Sequence, residues 1–183
     1  MNNTIIIYSL LNFLILFLCG KISYKLNLLD HPNKRKIHTS ATAYTGGVAI
    51  SIILLFSIFL FEVSDKNLNI TLSMAFLISI IGLIDDKYNL DVSSKLSLQI
   101  IPIFYLVVFE NLALQQIGDY NYFKVELGSF VIPFTLMCVL LLINAFNYFD
   151  GIDGTLGFTS ISVLIILYFL IPNQNFQLFL ILI

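Results

Sequence analysis

The stretch FVIPFTLMCVLLLINAFNYFDGIDG, residues 130–154, decides how the whole chain is read. Its apolar run Phe130 to Ile143 passes directly into two carboxamides, Asn144 and Asn147, two carboxylates, Asp150 and Asp153, and two glycines, Gly151 and Gly154. Ionisable groups at the mouth of a membrane span carry a desolvation cost, so they mark a functional site by default. The segment therefore predicts an apolar helix in a bilayer with polar chemistry where it emerges.

Composition agrees with that reading along the full 183 residues, of which 58% are hydrophobic and only 11% charged. The mean hydropathy of +0.94 lies far from that of soluble domains. Apolar runs that qualify as bilayer-crossing helices are Thr4–Gly20, Gly46–Phe61, Ile70–Ile84, Leu96–Phe109, Phe130–Phe146 and Gly157–Ile171. The expectation is one all-α, multi-pass membrane domain over residues 1–183, a bundle of about six complete spans with the start of a seventh at Leu178–Ile183. Several runs are short, so their helices should continue into flanking loops or stand nearly upright. Because the seventh run stops so early, the chain reads as the N-terminal part of something longer.

The basic residues set the orientation. Lys21, Lys25, Lys34, Arg35, Lys36, Lys87 and Lys95 fall in alternate loops on one side, while Lys66 and Lys124 fall on the other. By the positive-inside rule the first group is cytoplasmic. Thr4–Gly20 lacks the basic start and the small-residue cleavage site of a signal peptide, so it counts as a span. Cys19 and Cys138 both lie in apolar runs and read as buried small hydrophobes. The formal charge of -2, with its cations gathered inside, argues against a nucleic-acid partner and for contact with anionic membrane lipids.

Three inner loops carry the chemistry. The first runs from Asp30-His31-Pro32 through Lys34-Arg35-Lys36 and His38 to Gly46-Gly47. Its cations suit a phosphate-rich ligand, although a plain membrane anchor uses the same residues. The second holds Asp85-Asp86, then Leu90, Lys95 and Gln99. Adjacent carboxylates repel, and a divalent cation or a cationic side chain relieves them; the alternative is a solvated helix end. In the third, Asn147, Asp150 and Asp153 recur at three-residue steps, so on a helix they share a face of oxygen donors. On the outer side, Phe123-Lys124-Val125-Glu126-Leu127 alternates like a short strand or hairpin.

Taken in order, these loops resemble the polyprenyl-phosphate N-acetylhexosamine-1-phosphate transferases of glycosyltransferase family 4, in their N-acetylglucosamine-type branch and over about the first half of such an enzyme. The resemblance implies transfer of a sugar 1-phosphate from a UDP-N-acetylhexosamine to a polyprenyl phosphate, with magnesium, or manganese in its place, at the inner membrane of a bacterium. It assigns Asp85, Asp86 and Asp150 to catalysis, with Asp85 as the base that orients the acceptor phosphate and Asp86 holding Lys95 or sitting near the metal. Lys95 would contact the pyrophosphate, Asn147 and Asp150 the metal, and Gly151 with Asp153 the uracil. Arg35 and His38 fall on the ligand side of the first loop. Two departures stand out: Ala43 occupies the place of a usual proline, and later metal-binding and sugar-nucleotide motifs do not occur by Ile183, so the chain alone is expected to lack full activity.

The sequence leaves other readings standing: a muramoyl-pentapeptide-type enzyme, a cation-transport segment, or a non-catalytic membrane remnant. It does not set the oligomeric state, a homodimer being one arrangement.

Overall fold

The computed structural model describes residues 2–30, 41–60, 65–120, 122–149 and 155–171. In chain order the elements are α1 (Asn2–Lys25), β1 (Leu29–Asp30), β2 (Thr42–Ala43), α2 (Gly46–Leu60), α3 (Lys66–Tyr88), α4 (Val92–Phe104, prolonged by a π-helical turn Tyr105–Phe109), β3 (Gln116–Tyr120), β4 (Phe123–Glu126), a 3₁₀ turn Gly128–Phe130, α5 (Val131–Phe149) and α6 (Thr155–Leu170). Four helical stretches are long and apolar enough to cross a bilayer: Ile6–Lys25, Lys66–Tyr88, Val92–Phe109 and Gly128–Tyr148. The protein is thus an all-α, multi-pass membrane protein.

Against the expectation of six complete spans, the described residues hold these four and two shorter apolar helices, α2 with 15 residues and α6 with 16. At 1.5 Å per residue each of the short pair measures roughly 23 Å, less than the roughly 30 Å of hydrocarbon. The long helices do run past the apolar stretches that announced them: α3 begins at Lys66 rather than Ile70 and ends at Tyr88 rather than Ile84. The Leu178–Ile183 run lies outside the described residues. Large side chains such as Phe13, Phe59, Phe158 and Phe169 stand exposed on the helix surfaces, as lipid-facing residues do. Several hydroxyls within the described helices donate to carbonyls three or four residues back, as Ser57 does to Leu54 and Ser73 to Asn69, which keeps those hydroxyl protons from the lipid.

The described residues group into two compact units, residues 1–64 with 145–183, and residues 65–144. In the first, α1 packs on α2, whose Ala49, Ile53 and Ser57 recur every fourth residue and are buried. Ser23 donates to the Leu28 carbonyl, and Thr45 Oγ1 donates to the Cys19 carbonyl at 3.2 Å. The β1–β2 ladder, pairing Leu29 with Ala43 and Asp30 with Thr42, closes the base of the first polar loop.

The second unit is built around α3, α4 and α5. Asp65 caps α3 by accepting from the Leu68 N–H at 3.0 Å, and Asn89, at φ 49°, ends it by returning its N–H to the Asp85 carbonyl at 2.7 Å. Asparagine tolerates the left-handed backbone that stops a helix. Asp91 then caps α4 through the Ser94 N–H at 3.1 Å and the Ser94 hydroxyl at 2.6 Å. The turn between α3 and α4 is therefore only residues 89–91, which forces the two helices antiparallel. Within α4, Pro102 has no N–H to offer the Leu98 carbonyl, and the helix widens just beyond into its π turn, where the Glu110 N–H reaches Tyr105 at 3.3 Å.

At the other end of this unit, β3 and β4 form the expected hairpin, with Asp119 opposite Lys124 and Tyr120 opposite Phe123. Thr135 of α5 ties it down, accepting the Leu114 N–H at 3.0 Å while donating to the Val131 carbonyl at 2.7 Å. Lys66 and Glu110 pair at 2.8 Å beside it, and the lysine, acting first through its hydrogen bond, holds the Glu110 carboxyl below its ordinary range.

Candidate active site

The tight α3–α4 turn places the last turn of α3 against the first turn of α4. Asp85 and Lys95 meet there, Nζ to Oδ2 at 2.6 Å, with side chains only 18% and 14% exposed. Asp86, the next residue, lies about 100° around the helix and is exposed. Sequence reading set Asp86 either against Lys95 or near a metal; the carboxylate at 2.6 Å from the lysine is Asp85. Lys87, next along, lies 5.4 Å from the centre of the Tyr88 ring, a cation–π distance.

One helical turn beyond Lys95, Gln99 sits on the same face of α4 and is 3% exposed. Its Oε1 accepts from Asn144 Nδ2 of α5 at 3.1 Å, and the same nitrogen donates to the Leu140 carbonyl at 2.8 Å. A carbonyl can only accept, so the Asn144 atom facing Leu140 must be the amide nitrogen, and the Gln99 atom facing that nitrogen must be its oxygen. One side of α4 thus joins the Asp-Asp motif of α3 to the first asparagine of the Asn-Ala-Phe-Asn motif of α5. Neither Gln99 nor Asn144 received a role from sequence reading; the signal that singles them out is the four-residue spacing of Lys95 and Gln99, which sets two polar residues on one stripe of an apolar helix.

Asn147 follows Asn144 by three residues on α5, and its side chain is exposed. Arg35, His38, Asp150, Gly151 and Asp153 lie outside the described residues. Among the described residues no three His, Cys, Asp or Glu side chains form a metal cluster. The donors that α5 does carry here, the carboxamide oxygens of Asn144 and Asn147, are the hard oxygen type that magnesium takes. Asp91, at the turn below, has its carboxyl held under the ordinary range, chiefly by the Ser94 hydroxyl and then by the Ser94 N–H.

Within the α3–α5 unit the arrangement is a shielded carboxylate oriented by a lysine, with an exposed acid next to it at the end of α3. It can align and neutralise phosphate charge without forming a covalent bond to it.

Comparison with known proteins gives one family match: the model described as glycosyl transferase family 4 aligns with residues 68–183. The undecaprenyl-phosphate alpha-N-acetylglucosaminyl 1-phosphate transferase of Escherichia coli (strain K12) is 32% identical over 145 residues, 79% of this chain and 40% of that protein. Its namesake from Yersinia pestis is 29% identical over 158 residues, 86% of this chain and 43% of the relative. A probable undecaprenyl-phosphate N-acetylglucosaminyl 1-phosphate transferase of Bacillus subtilis (strain 168) is 28% identical over 167 residues, 86% of this chain and 46% of its own length. The chain spans less than half the length of these curated relatives. No solved structure gives a significant match.

Proposed function

We propose, because this chain belongs to glycosyl transferase family 4, that it serves the transfer of an N-acetylhexosamine 1-phosphate, N-acetylglucosamine first among them, from its UDP derivative to undecaprenyl phosphate at the cytoplasmic face of the bacterial inner membrane. The bond between the two phosphates of the donor breaks and UMP leaves. A phosphate oxygen of the lipid takes its place on the sugar phosphate. The observation that carries the reading is the shielded Asp85–Lys95 pair at the end of a span, in a chain related to proteins named for this transfer.

Phosphoryl transfer asks for alignment and charge neutralisation more than for a covalent catalyst. Asp85 accepts the acceptor's proton or orients its phosphate, and Lys95 holds that carboxylate in place and lends its charge to the pyrophosphate. Asp86 stands at the water-facing edge of the pair. Asn147 with Asp150 would hold magnesium, which supplies charge neutralisation on the transferring phosphates when bound. Arg35 and His38 serve the ligand side of the first loop, and Gly151 with Asp153 the uracil. A cation-transport segment would carry its carboxylates near mid-span; Asp85 lies three residues from the end of α3, which favours interfacial chemistry.

The test is binding of UDP-N-acetylglucosamine and of undecaprenyl phosphate to the chain in lipid nanodiscs, with and without magnesium. Magnesium-dependent binding that disappears in Asp85→Asn supports the reading. A chain that inserts and folds yet binds neither compound would overturn it.

A further inference from the structure

The Asn144 carboxamide has both of its N–H bonds committed, one to Leu140 of its own helix and one to Gln99 of α4. No hydrogen bond to its Oδ1 forms among the described residues. The amide is therefore held in one rotamer with its oxygen unspent. The group that holds it, Gln99, is buried in an apolar span, where an amide left without partners is costly. A buried glutamine is an expensive way to fill space that a leucine or methionine would fill more cheaply. It is also one turn from Lys95 on the same helix, so any rotation or slide of α4 moves the Asp85 ion pair and the Asn144 amide together.

We infer that Gln99 is a positioning residue, which sets the Asn144 carboxamide oxygen in register with the Asp85–Lys95 pair, and that this coupling prepares the site for the UDP-sugar phosphates and their magnesium ion; the inference rests on the transferase reading. Gln99 touches no substrate in this role. It acts through Asn144, as Lys95 acts on Asp85, and α4 is the strap that links the two motifs.

The experiment uses the 183-residue chain in nanodiscs, with asparagine labelled by 15N and the Asn144 side-chain signal assigned by its loss in Asn144→Ala. Gln99→Met keeps the length of the side chain and removes the strong acceptor. Exchange of the Asn144 side-chain amide protons should then quicken about tenfold, the equivalent of one ordinary hydrogen bond, and magnesium-dependent binding of UDP-N-acetylglucosamine should weaken by a similar factor. Gln99→Glu, which keeps an acceptor oxygen at the same reach, should retain the slow exchange. An unchanged Asn144 signal in Gln99→Met overturns the inference, as does equal quickening in Gln99→Met and Gln99→Glu, because packing alone would then account for it. Quickened exchange with unchanged binding also overturns it while leaving the transferase reading intact. Failure of the unaltered chain to bind overturns the transferase reading itself, and the amide exchange still reports separately whether Gln99 sets Asn144.

Discussion

Two lysine–aspartate pairs at opposite ends of the α3–α5 unit have the same chemistry and different surroundings. Asp85–Lys95 closes at 2.6 Å with side chains 18% and 14% exposed, whereas Asp119–Lys124 closes at 3.0 Å across the hairpin with 48% and 59% exposed. Water screens the second pair, and exposed pairs of this kind contribute roughly 0–1 kcal/mol. The first pair is largely withdrawn from water, so removing either partner strands a charge where hydration is poor. The hairpin end is instead secured by a neutral hydrogen bond, from the Leu114 N–H to the buried Thr135 hydroxyl. The two pairs thus differ in how far water reaches them, not in the groups they join.

That contrast can be broken most directly at Lys95. Lys95→Met should lower stability by about 2–3 kcal/mol, since Asp85 loses its counter-charge, and should abolish magnesium-dependent UDP-sugar binding; thermal unfolding in detergent and calorimetric titration measure the two effects. Loss of less than about 0.5 kcal/mol, the size of an exposed pair, would erase the distinction between the ends. Next in size, Thr135→Val leaves the Leu114 N–H without a partner and should cost about 1–2 kcal/mol, while nucleotide binding stays as it was. Hydrogen exchange at Leu114 reports the same loss locally.

A smaller and pH-dependent effect is expected at Asp91. Its carboxyl titrates below the ordinary range in the folded chain, so its contribution to α4 is complete above the ordinary aspartate value and disappears as pH falls through the depressed one. Asp91→Ala should therefore melt earlier than the unaltered chain at neutral pH, and the two melting curves should converge toward strongly acidic pH. A gap that widens on acidification would reverse the sign of this assignment. The smallest change belongs to Lys124→Met, within about 0.5 kcal/mol of the unaltered chain and without effect on binding. If it matched Lys95→Met, exposure would not be what separates the two pairs.

Most of the architecture was legible because the bilayer imposes a simple code: long apolar runs become helices, and asparagine or aspartate marks where they stop and start. Asn89 and Asp91 delimit the α3–α4 turn, and the alternation at Phe123–Leu127 announced the hairpin strand. The six apolar runs all became helices, but their lengths did not follow from apolarity alone. α3 gained polar turns at both ends through Asp65 and Asn89, while α2 and α6 are described over only 15 and 16 residues. Of the site, Asp85 and Lys95 were named from their motif, yet which carboxylate of the adjacent pair the lysine would face was open. Sequence spacing gives the angle between Asp85 and Asp86 on their helix but not the rotation of that helix toward α4.

The chain's residues alone determined that it is a membrane-embedded helical protein, where polar groups gather along it, and which family it resembles, because those properties depend on composition and local order. Only the tertiary structure decided that Lys95 meets Asp85 and that Gln99 reaches Asn144. These partners lie 10 and 45 residues apart, and no local propensity sets the rotation and depth at which three packed helices bring them together.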